Sequence, residues 1–92
     1  MAKFDGIKGQ ELLDFEKTKD ELTLIFKDNR YLFIKIKTGN LVVDVAMCNK
    51  VKGQELQNVE EGSNEITLFF KDSNTLPVKV ESGQMEIDSI PE

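Results

Sequence analysis

Two four-residue stretches, Lys8-Gly9-Gln10-Glu11 and Lys52-Gly53-Gln54-Glu55, are the longest polar run that occurs twice in this 92-residue chain. Lysine and glutamine side chains at matched places could grip one small ligand, such as a nucleotide, from two sides. The glycines would let a backbone approach it closely. The candidate ligand contacts are Lys8, Gln10, Lys52 and Gln54. A phosphate loop would need more glycines and a following helix, so the plainer reading is a pair of turns that require glycine.

The rest of the chemical inventory is thin. The chain has no His, so the usual neutral-pH acid/base is missing and no Ser-His or Cys-His pair can form. One Cys without any His excludes Cys/His zinc ligation. The run Glu60-Glu61-Gly62-Ser63-Asn64-Glu65 offers oxygen ligands. It lacks the spacing of a calcium loop and reads as a solvated hairpin turn. Asp44 and Asp88 read as solvated strand residues, and Cys48 as a buried, incidental thiol. The expectation is a protein with no catalytic residues, no metal site and no cofactor, and not an enzyme.

What must position these residues is a repeat. Sliding the chain by 44 positions sets residues 7–45 on 51–89 without a gap, with sixteen of thirty-nine positions identical. Ile7-Lys8-Gly9-Gln10-Glu11-Leu12 falls on Val51-Lys52-Gly53-Gln54-Glu55-Leu56, and Leu22–Asp28 falls on Ile66–Asp72. The organisation expected is one domain over 1–92, with a first β repeat over 6–46 and a second over 50–90. A unit of this length rarely folds alone, so the two must share a core.

Inside each unit the apolar period is two. Leu22, Leu24 and Phe26, then Leu32, Ile34 and Ile36, then Leu41, Val43 and Val45 point inward. The second unit repeats this with Ile66, Leu68, Phe70, Leu76, Val78, Val80, Met85 and Ile87. A hairpin tip at Thr38-Gly39 would set Ile36 against Leu41, Ile34 against Val43 and Leu32 against Val45. A tip at Ser82-Gly83 would set Val80 against Met85, Val78 against Ile87 and Lys79 against Glu86. A loop Asp28-Asn29-Arg30, matched by Asp72-Ser73-Asn74, would pair Leu24 with Ile34 and Ile25 with Phe33. The segments Gln10 to Lys17 and Gln54 to Glu61 carry Leu12/Phe15 and Leu56/Val59 three apart, which fits a bulged strand. The expected fold is all-β: two four-stranded meanders related by a pseudo-two-fold axis, closing into a small sandwich or barrel. Residues 46–49 serve as a short connection. Pro77 places its strand at a sheet edge or a bulge.

Ile25, Tyr31, Phe33 and Val42 point away from this core, whereas the matched places hold Phe69, Thr75, Pro77 and Glu86. One outer face is thus apolar, and such a face marks an interface unless residues 1–7 fold over it. The candidate interface is Ile25, Tyr31, Phe33 and Val42, with Phe69. Residues 1–48 carry eight basic and eight acidic side chains, and residues 49–92 four and nine, so the net charge of −5 lies in the second half. That disfavours nucleic acid and anionic membranes. The function expected is a non-enzymatic protein-binding module, self-associating as a homodimer or acting as an acidic inhibitor of a target protein. The alternative is a small-ligand-binding β protein with its site near the pseudo-two-fold axis. The opening residues carry no long apolar run, so a soluble cytoplasmic protein is expected, and a lone cysteine fits a reducing compartment.

Overall fold

The computed structural model describes residues 4–90. Its strands are β1 (Leu12–Lys17), β2 (Glu21–Phe26), β3 (Arg30–Val43), β4 (Leu56–Glu61), β5 (Glu65–Phe70) and β6 (Thr75–Ile90). They form one open antiparallel six-stranded sheet in the order β1-β2-β3-β6-β5-β4. A single turn-and-a-half of helix, α1 (Val45–Lys50), joins β3 to β4. The fold is therefore all-β, and no helix among the described residues is long and apolar enough to cross a membrane.

The period-two pattern builds the core. Leu22, Leu24 and Phe26 of β2 and Leu32 and Ile34 of β3 are sealed from solvent. So are Ile66, Leu68 and Phe70 of β5 and Leu76 and Val78 of β6, and all ten lie in one apolar cluster. β-branched and aromatic side chains suit such a pleated surface because their stiff χ1 rotamers pack flat against cross-strand neighbours. The three-residue spacing at the start of each unit is a bulge. The register between β1 and β2 slips between Leu12 and Asp14, and that between β4 and β5 slips between Leu56 and Asn58. The extra residue lets Leu12 and Phe15 both reach the core side.

The β2–β3 turn spans Lys27–Asn29, with Asp28 and Asn29 both at positive φ. Asp and Asn tolerate that left-handed region better than other non-glycine residues. Leu24 consequently stands opposite Leu32, and Ile25 opposite Tyr31. The expected three-residue loop began one residue too late, so the expected pairs Leu24–Ile34 and Ile25–Phe33 are two residues out. The side-chain faces survive because the error is even. Lys71–Ser73 makes the matching turn between β5 and β6.

The expected hairpins at Thr38-Gly39 and Ser82-Gly83 do not form. β3 and β6 each continue past these residues and pair with each other on both sides of them, from Tyr31–Ile90 to Val43–Val78, with the register shifting between Ile36 and Asn40. Ile34 faces Ile87, Ile36 faces Met85, Leu41 faces Val80 and Val43 faces Val78. Met85 holds the place in the second unit that Leu41 holds in the first, and Ile87 that of Val43. Each side chain thus meets the counterpart of its expected neighbour, supplied by the other unit. The alternation dictates what kind of residue sits opposite but not which unit provides it. The result is six strands in one sheet, rather than eight strands in two meanders, a two-sheet sandwich or a closed barrel.

At the crossing the two backbones touch. A Cβ on Gly39 would collide with the carbonyl oxygen of Glu81, and one on Gly83 with that of Thr38. Gly39 also sits at φ +89, so glycine is required there twice over. Lys79 pairs with Glu65 at 3.4 Å and Glu86 with Lys37 at 3.5 Å, in place of the expected Lys79–Glu86 pair. Pro77 is not on an edge strand. It lies one residue beyond the last β6–β3 pair, Val43 opposite Val78, so its missing N–H forfeits no bond to β3. Val45, expected inward, is exposed in the first turn of α1. The Asp44 carboxylate caps that helix by accepting from the N–H groups of Ala46 (3.0 Å) and Met47 (3.3 Å).

Candidate functional site

Two places gather the residues singled out from the sequence. The first is the outer face of the sheet over β2, β3 and the end of β6. Tyr31 stands opposite Ile25 on one side and Ile90 on the other, and Phe33 lies two residues along between Thr23 and Asp88. The Tyr31 and Phe33 rings stack, with centroids 5.8 Å apart and planes 17° apart. Ile25, Tyr31 and Phe33 are half-buried and Ile90 is 50% exposed. None of the four packs on the core cluster, so their apolar surface belongs to the outer face.

Sequence reasoning missed Ile90, because it arrives only through the pairing of β6 with β3. Val42 and Phe69 are not part of this group. Val42 stands opposite Lys79 on the other half of the sheet, and Phe69 sits between Asn58 and Thr75. Phe4 and Ile7 do not cover the face, since both are buried in the core cluster. Residues 1–3 of the expected cover, 1–7, lie outside the described residues.

The surrounding charges are arranged in cross-strand rows. Asp14, Ile25, Tyr31 and Ile90 form one row, and Glu16, Thr23, Phe33 and Asp88 the next. Lys52 holds Asp14 at 3.1 Å, Lys35 holds Glu21 at 3.7 Å and Lys37 holds Glu86 at 3.5 Å. The Phe15 N–H bonds the Asp14 carboxylate at 2.8 Å, and this bond and then Lys52 lower the Asp14 pKa. Among the described residues Glu16 and Asp88 have no ion-pair partner.

The second place is a cleft of about 470 Å³ where the starts of the two units meet. Glu11 and Glu55 stand opposite one another in an antiparallel bridge. Backbone bonds flank it: Leu12 N–H donates to Gln54 (2.9 Å), Leu56 to Gln10 (2.9 Å), Gly9 to Leu56 (2.7 Å) and Gly53 to Leu12 (2.7 Å). The turns at 27–29 and 71–73 are tied in by Lys27 N–H to Glu11 (3.0 Å) and Lys71 N–H to Glu55 (3.1 Å). Five residue pairs line the cleft, each 44 apart: Gly9/Gly53, Gln10/Gln54, Glu11/Glu55, Lys27/Lys71 and Asp28/Asp72.

Gln10 and Gln54 are thus brought together, but Lys8 and Lys52 do not line the cleft. Lys52 instead pairs with Asp14 and lies over the Phe15 ring at 5.2 Å. The lysines at the cleft, Lys27 and Lys71, stand just before the loops expected at 28–30 and 72–74 and carried no sequence signal of a site. The lining is not symmetric in its contacts. Asn74 donates to the Gln54 amide oxygen at 3.0 Å, whereas its counterpart Arg30 turns away to the Gly6 carbonyl.

Cys48 is sealed in the core, and burial first, then the nearby Asp44 charge, push its thiol up to about 11. A thiol so raised is a poor nucleophile. Among the described residues no three His, Cys, Asp or Glu side chains gather as metal ligands. No family model, curated protein or solved structure matches the chain.

Proposed function

We propose that the chain is a non-enzymatic protein-binding module, one domain of two β repeats over 6–46 and 50–90 related by a pseudo-two-fold axis, working in the cytoplasm. The observation that carries this reading is the contiguity of Ile25, Tyr31, Phe33 and Ile90 on an outer face that no part of the core uses. The stacked rings of Tyr31 and Phe33 offer a partner a rigid apolar platform at little rotamer cost. The chain's net charge of −5 suits a basic target, which is the form an acidic inhibitor takes.

The test is a photo-crosslinkable phenylalanine analogue at position 33, in cells that make the chain naturally, compared with the same analogue at Thr75, an exposed outer-face position of the second unit that matches Tyr31. Adducts of defined mass at 33 and none at 75 are expected. Equal labelling at both, or none at 33, removes the reading.

A second reading, small-ligand binding, is favoured by the cleft between Gln10 and Gln54 on the repeat axis. Its four carboxylates outweigh Lys27 and Lys71, so a neutral or cationic ligand suits it better than a nucleotide. Replacing Gln10 and Gln54 together by Ala abolishes binding under this reading, and leaves crosslinking at 33 untouched under the first.

A further inference from the structure

We infer that the outer face takes a short cationic segment of another protein, with an arginine seated on the Phe33 side, rather than a second copy of this chain. The inference rests on the protein-binding reading above and names its partner class. Size decides against the second copy. Of the four apolar side chains, three are already half-buried, so together they still expose on the order of 300 Å² or less. A stable dimer buries about 800 Å² on each side, of which roughly 450–500 Å² is apolar. A two-fold pairing of this face would also bring Glu16 and Asp88 of two molecules together beside apolar surface, where unpaired carboxylates are costly.

Charge chooses among the remaining occupants. Three lysines near this face are ion-paired, Lys52 to Asp14, Lys35 to Glu21 and Lys37 to Glu86. Glu16 and Asp88 are uncommitted among the described residues and lie in the same cross-strand row as Phe33. Asp88 is Phe33's direct neighbour, so an aromatic surface stands next to a free carboxylate. A planar guanidinium meets both at once, lying on the ring while its N–H fork bonds the carboxylate. The second half offers no such pair, because β3 stops at Val43 and Asp44, the counterpart of Asp88, is spent capping α1.

The test is a set of three short peptides of equal length, alternating leucine with arginine, with lysine, or with the neutral isostere citrulline. Each is titrated into the full chain while its backbone amides are followed by NMR. The arginine peptide is expected to shift the signals of Phe33, Asp88 and Ile90, and the citrulline peptide to bind roughly tenfold more weakly. Combining Glu16→Gln with Asp88→Asn removes the difference, and added salt weakens only the charged peptides. If citrulline binds as well as arginine at the same residues, the docking reading stands and the cationic partner falls. If the shifts centre on Glu60–Glu65 or elsewhere, both fall. If sedimentation shows a dimer that Phe33→Ser dissolves, the second copy is the occupant and the inference is overturned. Both carboxylates and Phe33 lie outside the core cluster, so an unchanged melting temperature is expected for these variants and checks that they fold.

Discussion

Gly39 and Gly83 are where a single carbon atom matters most. Each passes so close to the opposing carbonyl that a methyl group has nowhere to go. Gly39→Ala or Gly83→Ala is expected to cost about 3 kcal/mol, read as a lowered urea midpoint. The same change at Gly62, whose added Cβ would meet only ordinary contact at 3.7 Å, is nearly neutral. Cys48 makes a different prediction. Its thiol is neutral when folded and its pKa lies at about 11, above the ordinary value of 9.0. A raised pKa means stability that is complete below pH 9 and is lost as the pH climbs toward 11. Thiol reagents at pH 8 are expected to react with Cys48 only after unfolding, and Cys48→Ala flattens the alkaline loss. An alkaline denaturation series on both proteins checks this.

At the scale of elements, the chain's own pattern made most strands legible. Alternation placed Leu24, Ile34, Leu68 and Val78 inside, and all four are fully buried. A spacing of three at Leu12/Phe15 announced the bulge, because one extra residue returns the next side chain to the same face. What alternation cannot carry is the identity of the neighbour. Leu41 and Met85 are equivalent to Ile36 in shape and polarity, so a hairpin and a crossing satisfy the same pattern. The helix α1 was hidden for another reason. Val43 and Val45 continue the alternation past the point where Asp44 ends it by bonding the next backbone N–H groups. The candidate sites were half legible for the same cause. Ile25, Tyr31 and Phe33 belong to one unit and could be read together, whereas Ile90 and Asp88 join them from the other. Asp44 and Asp88 therefore respond differently to one substitution. Asp44→Ala is expected to cost about 1 kcal/mol by removing a helix cap. Asp88→Ala, on an exposed strand position, stays within about 0.5 kcal/mol. Paired thermal melts of the two variants decide it.

Across the whole molecule, the central pair joins the two halves more intimately than the connection along the chain does. β3 contributes its first part beside β2 and its last part beside the start of β6. Neither half of the core can open without breaking that pair, so unfolding is expected to be one cooperative step. Circular dichroism and the fluorescence of Tyr31 should then trace the same midpoint, and the slowest-exchanging amides should belong to Leu32, Ile34, Val78 and Ile87. The charge imbalance acts at this scale too. It leaves the fold alone and sets which surfaces the molecule approaches.

The crossing has a last consequence for what the peptide bond between the units is worth. Lys50 is exposed at the end of α1, and scission just after it would leave two polypeptides threaded side by side through the middle of one sheet. Such a nicked molecule is expected to run as two bands on a denaturing gel while native mass spectrometry finds one particle with the mass of the intact protein plus the one water that hydrolysis adds. Continuity of the backbone would then serve assembly rate, by holding the strands at high local concentration, more than it serves the finished shape.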